Sequence, residues 1–164
     1  MLIILYLFCN IVTLETNNNF IIKSYQFPTK IFYVKNNKRI SLKNKKEIKP
    51  NEYKRSLFLI ESIGGDLFKI KSKYRNRFVT LNKNKPKLKL KKSKKASKTI
   101  WGIKKETDGY KLTSEGFCLE VNKKGKRIKA RVCKSSPYQK FHIEYFETHE
   151  MSKKNNLNKV IYLY

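Results

Sequence analysis

The sequence predicts an all-β domain made of three similar units, each with four short strands. A strand-like segment recurs at 56–60, 99–103 and 139–143, with an aromatic residue two positions after a polar one. The aromatics Phe58, Trp101 and Phe141 are 43 and 40 residues apart, and no stretch after residue 16 has a clear helical period. A repeat of this length indicates one supersecondary unit per repeat.

Three more strands precede the recurring segment in each unit, and many of them alternate apolar with polar residues, as half-buried strands do. The opening strands are expected at 20–23, 67–70 and 110–112, the second strands at 31–34, 78–81 and 118–121, and the third at 40–42, 88–90 and 128–130. Turns are expected at Gly64-Gly65-Asp66, Asp108-Gly109 and Lys124-Gly125.

One unit of this size cannot bury its own apolar face. Three units around a pseudo-threefold axis can do so, and closing the sheet removes its exposed edges. We therefore expect one domain over residues 20–147, with the three recurring aromatics in equivalent core positions. Residues 148–164 follow as a tail that is either loose or paired with the N-terminal end.

The first 16 residues predict a secretory signal peptide, because they begin with an uncharged apolar run too short to span a bilayer. Thr13 and Thr16 are the candidate last residues of the signal. A buried N-terminal strand is the alternative, although few strands are that long. The signal peptide predicts a secreted or cell-surface protein.

Removal of the signal would also remove Cys9 and leave Cys118 and Cys133 as an even pair in an oxidising compartment. The pair either forms a disulfide or stays as two buried thiols. No Cys-x-x-Cys or Cys/His cluster indicates a metal site, and no motif indicates a cofactor.

The third repeat resembles the ricin B-type lectin family. It reads Gly116-Phe117-Cys118-Leu119-Glu120-Val121, then Val132-Cys133, then Gln139-Lys140-Phe141. The family pattern is G-x-C-L-D-V, then a second Cys, then Q-x-W. The resemblance implies a β-trefoil, three four-stranded repeats with pseudo-threefold symmetry, and a bridged Cys118–Cys133 pair.

The same resemblance implies a sugar site in which a carboxylate and an amide bind hydroxyls and an aromatic ring supports the sugar. Glu120 stands in place of the family's Asp, Arg131 in place of its aromatic, and Tyr138 in place of its Asn. Gln139 matches, and either contacts sugar or bonds backbone in its turn. The other two repeats have Tyr33 and Thr80 where Glu120 stands, so one altered sugar site is expected at most.

The charge is strongly positive: 39 Lys and Arg face 12 Asp and Glu, a formal +27. Such a field attracts nucleic acid, anionic glycans and acidic membrane surfaces. Only six of the 39 are Arg, and an A/T-rich genome favours Lys codons without any ligand. That alternative does not explain the shortage of acids.

The basic residues cluster after the second strand of each repeat, so threefold symmetry would combine the three hairpins into one basic face. Separate solvated loops are the alternative. One cluster spans 35–49, and the polyanion-binding candidates in the other two are Lys83, Lys85, Lys87, Lys89, Lys91, Lys92, Lys94, Lys95, Lys98, Lys123, Lys124, Lys126 and Arg127.

Catalysis has little support, because the two histidines, His142 and His149, belong to no catalytic motif. The function expected from the sequence is a secreted, non-enzymatic module for adhesion or surface recognition. Its expected partners are glycans or glycoproteins, including sulfated or acidic ones. The alternative is polyanion binding through the basic face without neutral-sugar binding. A membrane would be contacted only through surface charge or glycolipid, and nucleic acid would bind in vitro.

Overall fold

A computed structural model describes residues 18–36, 38–82, 87–92 and 99–146 of the 164-residue chain. The expected signal peptide at 1–16, Cys9 and the expected tail at 148–164 lie outside these residues. Outside them as well are five of the polyanion-binding candidates: Lys83, Lys85, Lys94, Lys95 and Lys98.

Within the described residues the chain forms 12 antiparallel strands, four to each predicted repeat. They are β1 Asn19–Ser24, β2 Lys30–Lys35, β3 Arg39–Asn44, β4 Phe58–Gly64, β5 Leu67–Ser72, β6 Arg77–Asn82, β7 Lys87–Lys91, β8 Ile100–Glu106, β9 Gly109–Ser114, β10 Phe117–Val121, β11 Ile128–Val132 and β12 Lys140–Phe146. Every strand expected from the sequence is present within a few residues of its predicted position.

Six strands close into a ring, because each repeat contributes its first and last strands to a barrel. β1 pairs with β4, β4 with β5, β5 with β8, β8 with β9, β9 with β12, and β12 with β1. The closing pair is in register from Asn19 opposite Phe146 to Ser24 opposite Phe141. A closed ring leaves none of these six strands as an edge.

The second and third strands of each repeat form the hairpins β2–β3, β6–β7 and β10–β11. The third strands β3, β7 and β11 contact one another, so the three hairpins converge at one end of the barrel. β3 also pairs with β7, with Arg39 opposite Lys89. Barrel and hairpin triplet together are a β-trefoil, which confirms the fold class predicted from the sequence.

The core lies inside the barrel and under the hairpins. Phe58, Trp101 and Phe141 are fully buried at equivalent positions, which confirms the prediction from the repeats. The ring of Phe32 packs edge-on against Phe58 and Phe141 at 6.3 and 5.5 Å. Because the indole N–H of Trp101 donates to the carbonyl of Val79 at 2.9 Å, this core contains no orphaned indole donor.

A second apolar cluster lies on the outer side of the first repeat. Ile21, Ile31, Tyr33, Ile48 and Leu57 are its buried members. It packs beneath the insertion between β3 and β4, which contains the 3-10 helices Lys45–Glu47 and Pro50–Ser56. A third 3-10 helix, Pro137–Gln139, precedes β12. These helices are too short to produce the periodicity that predicts a helix from sequence.

Among the described residues no helix is long and apolar enough to cross a membrane. The same part of the chain contains no group of three or more His, Cys, Asp or Glu side chains placed to hold a metal ion.

Candidate functional site

The outer face of the β10–β11 hairpin displays the residues that the sequence singles out for sugar binding. Leu119 and Val121 are buried in the core, so the alternation of the strand turns Glu120 outward. Across the hairpin, Glu120 lies opposite Lys129, and Cys118 lies opposite Arg131.

A disulfide between Cys118 and Cys133 crosses the end of this hairpin, with the two Cα atoms 4.9 Å apart. The pairing expected from the resemblance is confirmed. The bridge fixes the strand end next to Glu120. It also ties the residues that follow β11, which lead to the Pro137–Gln139 helix.

Gln139 is completely buried, and its amide is fully used inside the protein. Its Nε2 donates to Glu120 Oε2 at 2.9 Å and to the carbonyl of Val132 at 3.0 Å, while its Oε1 accepts from the backbone N–H of Lys134 at 2.9 Å. Gln139 therefore holds the Glu120 carboxylate in place. The sequence left open whether Gln139 contacts sugar or bonds backbone. In the structure it bonds the backbone of Val132 and Lys134, and it also donates to Glu120.

Glu120 carries the polar chemistry of this face. Its Oε2 accepts from Gln139 and lies 3.5 Å from Lys134 Nζ, an ion pair exposed enough to contribute little energy. Among the described residues, no group donates to its Oε1. One carboxylate oxygen is thus fixed by the protein, and the other can accept from a ligand hydroxyl.

Tyr138 directly precedes Gln139 in the short helix and pairs with an aromatic residue that the sequence reading missed. Its ring centroid is 6.2 Å from that of Phe27 in the β1–β2 turn. Ser136 caps the short helix by accepting from the backbone N–H of Tyr138 at 3.3 Å. Both rings are half-buried and present apolar surface to solvent. Phe27 lies 111 residues before Tyr138 in the chain, so only the closed ring brings the two together.

Gly125, at the tip of the β10–β11 hairpin, lies directly against the Phe27 ring. A Cβ at this position would lie 3.1 Å from two ring carbons, and the residue has a φ of 60°. Lys30 Nζ lies 5.4 Å from the centre of the same ring and donates to the carbonyl of Gly125 at 2.9 Å. The hairpin tip is therefore anchored to the first repeat.

The equivalent positions in the other repeats carry different chemistry. Thr80 replaces Glu120 in the second repeat, where it is buried and donates to the carbonyl of Lys89 at 3.2 Å. Tyr33 replaces it in the first repeat, and its buried ring lies beneath Lys43 Nζ at 4.7 Å and the Arg55 guanidinium at 5.9 Å. Lys43 and Arg55 hold the positions of Arg131 and Tyr138.

Basic side chains cover the exposed parts of the three converging hairpins. Glu120 is the one acid in the sequence of 30–44, 77–92 and 117–132. Lys89, one of the candidates, is half-buried on β7. The exposed basic residues described on the hairpins are Lys35, Lys38, Arg39, Lys87, Lys91, Lys92, Lys123, Lys124, Lys126, Arg127 and Arg131.

His142 lies on the outer face of β12, where its ring is 5.3 Å from that of Tyr25. Burial lowers its pKa, the charge of Lys23 lowers it further, and Glu144 and Asp108 act in the opposite direction. Lys23 Nζ forms a close ion pair with Glu144 at 2.6 Å. The surroundings of His142 are those of a packed surface residue.

Comparisons with solved structures agree with the trefoil architecture. Cry35Ab1 superposes with a TM-score of 0.71 at 20% identity over 89% of this chain and 40% of that chain. The Polyporus squamosus lectin, bound to a human-type influenza-binding epitope, gives 0.69 at 14% identity over 82% of this chain and 51% of that chain. The BEL β-trefoil superposes with a TM-score of 0.67 at 15% identity over 80% of this chain and 95% of that chain.

These likenesses establish the fold and no more, since all are at or below 20% identity. The chain spans about half or less of the Cry35Ab1 and Polyporus squamosus lectin chains. No protein-family model and no curated sequence matches the chain, so membership of the ricin B family is not shown.

Proposed function

We propose that this protein is a carbohydrate-binding module that holds a sugar on the outer face of its third repeat. The observation that carries the proposal is the Glu120 carboxylate, fixed through one oxygen by the buried Gln139. A carboxylate held in this way can accept hydrogen bonds from sugar hydroxyls without first losing side-chain freedom.

The aromatic pair Phe27 and Tyr138 supports this proposal, because apolar sugar faces pack on aromatic rings. Lys129, Arg131 and Lys134 surround Glu120 and make the local charge positive. A sugar that also carries an acidic group is therefore favoured over a neutral one. The β-trefoil lectin among the structural neighbours is consistent with a glycan partner.

A glycan array, followed by calorimetric titration with the best ligand, tests the proposal. Glu120→Ala removes the acceptor and should weaken binding by tenfold or more, since hydrogen bonds to a charged group contribute about 1.5–3 kcal/mol. Tyr138→Ala should weaken it by a smaller factor through lost ring contact.

Glu47→Ala is the matched control, because Glu47 is an exposed acid on the insertion of the first repeat. It should leave glycan affinity unchanged. Equal affinity in wild type and Glu120→Ala, with both proteins folded by circular dichroism, would reject the third-repeat site.

Binding of polyanions through the basic hairpins is a second candidate function. The observation that favours it is the pairing of Arg39 with Lys89 across β3 and β7, where two positive charges face each other without a described acid beside them. Directly opposed like charges destabilise a sheet. An anionic ligand spanning the hairpins would relieve this repulsion.

Retention on heparin at increasing salt tests this second function. Lys87→Gln, Lys91→Gln and Lys92→Gln together should elute earlier and reduce the salt dependence of binding, because each lost charge contact removes about one released counterion. Lys73→Gln, Lys104→Gln and Lys105→Gln remove the same charge from exposed positions outside the hairpins. If both triple variants elute together, net charge alone accounts for retention.

The proposal includes an extracellular location, action in adhesion or surface recognition, and no catalytic activity. The disulfide supports an oxidising compartment. Proteomic detection of a mature chain that begins near residue 17 would test the predicted signal peptide. Recovery of intact Met1 from the secreted protein would contradict it.

A further inference from the structure

The junction between the first and second repeats carries a second cluster that the proposed sugar site does not use. Tyr74, in the turn between β5 and β6, lies beneath the guanidinium of Arg55 at 4.8 Å and that of Arg75 at 4.5 Å. A backbone hydrogen bond from Lys73 to the carbonyl of Leu57 holds this turn against the end of the Pro50–Ser56 helix at 3.0 Å.

Arg55 is fixed by aromatic contacts. Its guanidinium lies over both Tyr33 and Tyr74, at 5.9 and 4.8 Å from the ring centroids. Within the described part of the chain no carboxylate lies within ion-pair distance of it. Tyr33 also lies within hydrogen-bonding reach of the Arg55 guanidinium, and the charge of Glu52 acts on it. The remaining N–H groups of this half-buried guanidinium can bind a planar or tetrahedral oxyanion.

The nearest acid is already committed to another cation. Glu52 Oε2 accepts from Lys43 Nζ at 3.1 Å, and this bond holds the pKa of the Glu52 carboxyl below its usual range. Lys43 itself lies over the Tyr33 ring. Two cations and one carboxylate therefore surround Tyr33, which leaves the cluster with excess positive charge.

The pseudo-threefold symmetry relates this cluster to the aromatic pair of the third repeat. Arg55 and Tyr138 both stand three residues before the buried aromatic of their last strand, Phe58 and Phe141. Each also faces the next repeat's turn, which supplies Tyr74 in one case and Phe27 in the other. The junction of the third and first repeats thus presents two aromatic rings, whereas the junction of the first and second repeats presents a guanidinium stacked on a ring.

We propose that Arg55, supported by Tyr33 and Tyr74 and flanked by Lys43, binds the carboxylate or sulfate group of an acidic sugar at this junction. The identification of the carrier as a sugar rests on the proposed carbohydrate-binding function. The oxyanion chemistry rests on the cluster alone. Ligand and protein exchange no atoms, since recognition is by charge-assisted hydrogen bonds.

The test is a titration followed by the side-chain Nε–Hε resonances of arginine in the full chain. Glucose 6-sulfate and glucuronic acid should shift the Arg55 resonance saturably, whereas glucose at the same concentration should not. Arg55→Gln should weaken binding of glucose 6-sulfate by about tenfold or more. Arg55→Lys should lose nearly as much, because an ammonium lacks the planar fork.

Lys104→Gln is the matched control, since it removes one exposed positive charge on β8, outside the basic hairpins. It should leave the affinity unchanged, and an equal loss in both variants would overturn the proposal. Sodium sulfate distinguishes the free ion from the sugar. If it binds as tightly as glucose 6-sulfate, the sugar contributes nothing and the assignment to an acidic sugar is wrong.

Glu120→Ala separates this inference from the proposed function. Its binding of glucose 6-sulfate at Arg55 should match wild type, because the two junctions share no residue. Loss of array binding in Glu120→Ala together with an unshifted Arg55 would support the sugar site and overturn the oxyanion site. If the Arg55 resonance shifts and Glu120→Ala changes the binding of no glycan, the oxyanion site is supported and the third-repeat sugar site is rejected.

Discussion

At the scale of single residues, this protein separates the side chains that hold the fold from those that can bind. Gln139 shows the difference best. The sequence identified it as a match to a sugar-binding pattern, but its hydrogen bonds to residues 7 and 19 positions away appear only in the folded chain. Arg55 went unrecognised for a similar reason, since its ring contacts are 22 and 19 residues away. Aligning the three repeats would have placed it opposite Tyr138.

Replacement of Gln139 by Ala should lower the free energy of unfolding by about 1–3 kcal/mol, because it removes the hydrogen bonds that this buried side chain makes to Glu120 and to the backbone of Val132 and Lys134. Urea denaturation measures this. Gln26→Ala, at an exposed position of the β1–β2 turn, should change the midpoint little. Similar midpoints for the two variants would contradict the structural role of Gln139.

His142 should titrate below its ordinary value of 6.5 and make the fold less stable in mild acid. A lowered pKa in the folded state means that the unfolded state binds the proton more readily. Stability is therefore full above pH 6.5 and falls as pH drops from there toward the lowered pKa. NMR titration of the ring and urea midpoints between pH 5 and 7 check this. His142→Asn should reduce this loss of stability in acid. If the loss is the same in the variant, protonation of carboxylates causes it instead.

At the scale of elements, the strands were predictable and the insertion was not. The strands alternate apolar with polar residues and recur three times, so each repeat confirms the others. The Pro50–Ser56 helix buries Ser56, and its apolar partners Ile48 and Leu57 show no period. The basic cluster at 35–49, which precedes this helix, predicts either part of a basic face or a solvated loop, and neither interpretation points to Arg55.

The β10–β11 hairpin should depend on its disulfide. Replacing Cys118 and Cys133 by Ala opens a loop whose ends are 15 residues apart, which should lower stability by about 3 kcal/mol in the loop-entropy description. Urea denaturation of the variant, and of wild type with and without reductant, measures the loss. Amide exchange should increase most in β10 and β11. An unchanged midpoint would show that the disulfide does not contribute to the stability of the fold.

At the scale of the whole molecule, we expect the three repeats to unfold as one cooperative unit, because every repeat contributes two strands to the same barrel. The core aromatics Phe58, Trp101 and Phe141 pack in one cluster. The threefold all-β architecture followed from the repeat pattern, and the resemblance in the third repeat added the β-trefoil. The spatial meeting of Phe27 with Tyr138 depended on closure of the ring and could not be read from spacing.

Removing a core ring from one repeat should therefore unfold the others with it. Phe58→Ala and Phe141→Ala should each lower stability by about 3–5 kcal/mol. The single tryptophan, Trp101, lies in the second repeat, which carries neither substitution. Its fluorescence and far-ultraviolet dichroism should give coincident transitions in both variants. Phe117 is 41% exposed, so Phe117→Ala should change the free energy of unfolding little. Separate transitions would mean that repeats unfold independently.

The pairing of β1 with β12 has a consequence for engineering. Asn19 lies opposite Phe146, so the polypeptide enters and leaves the trefoil at neighbouring points. A short linker could join these points, and new termini could be opened at the exposed Gly64-Gly65 turn without breaking a barrel strand pair. The same geometry would let the domain be inserted into a surface loop of a host protein, with both proposed binding sites carried along unchanged.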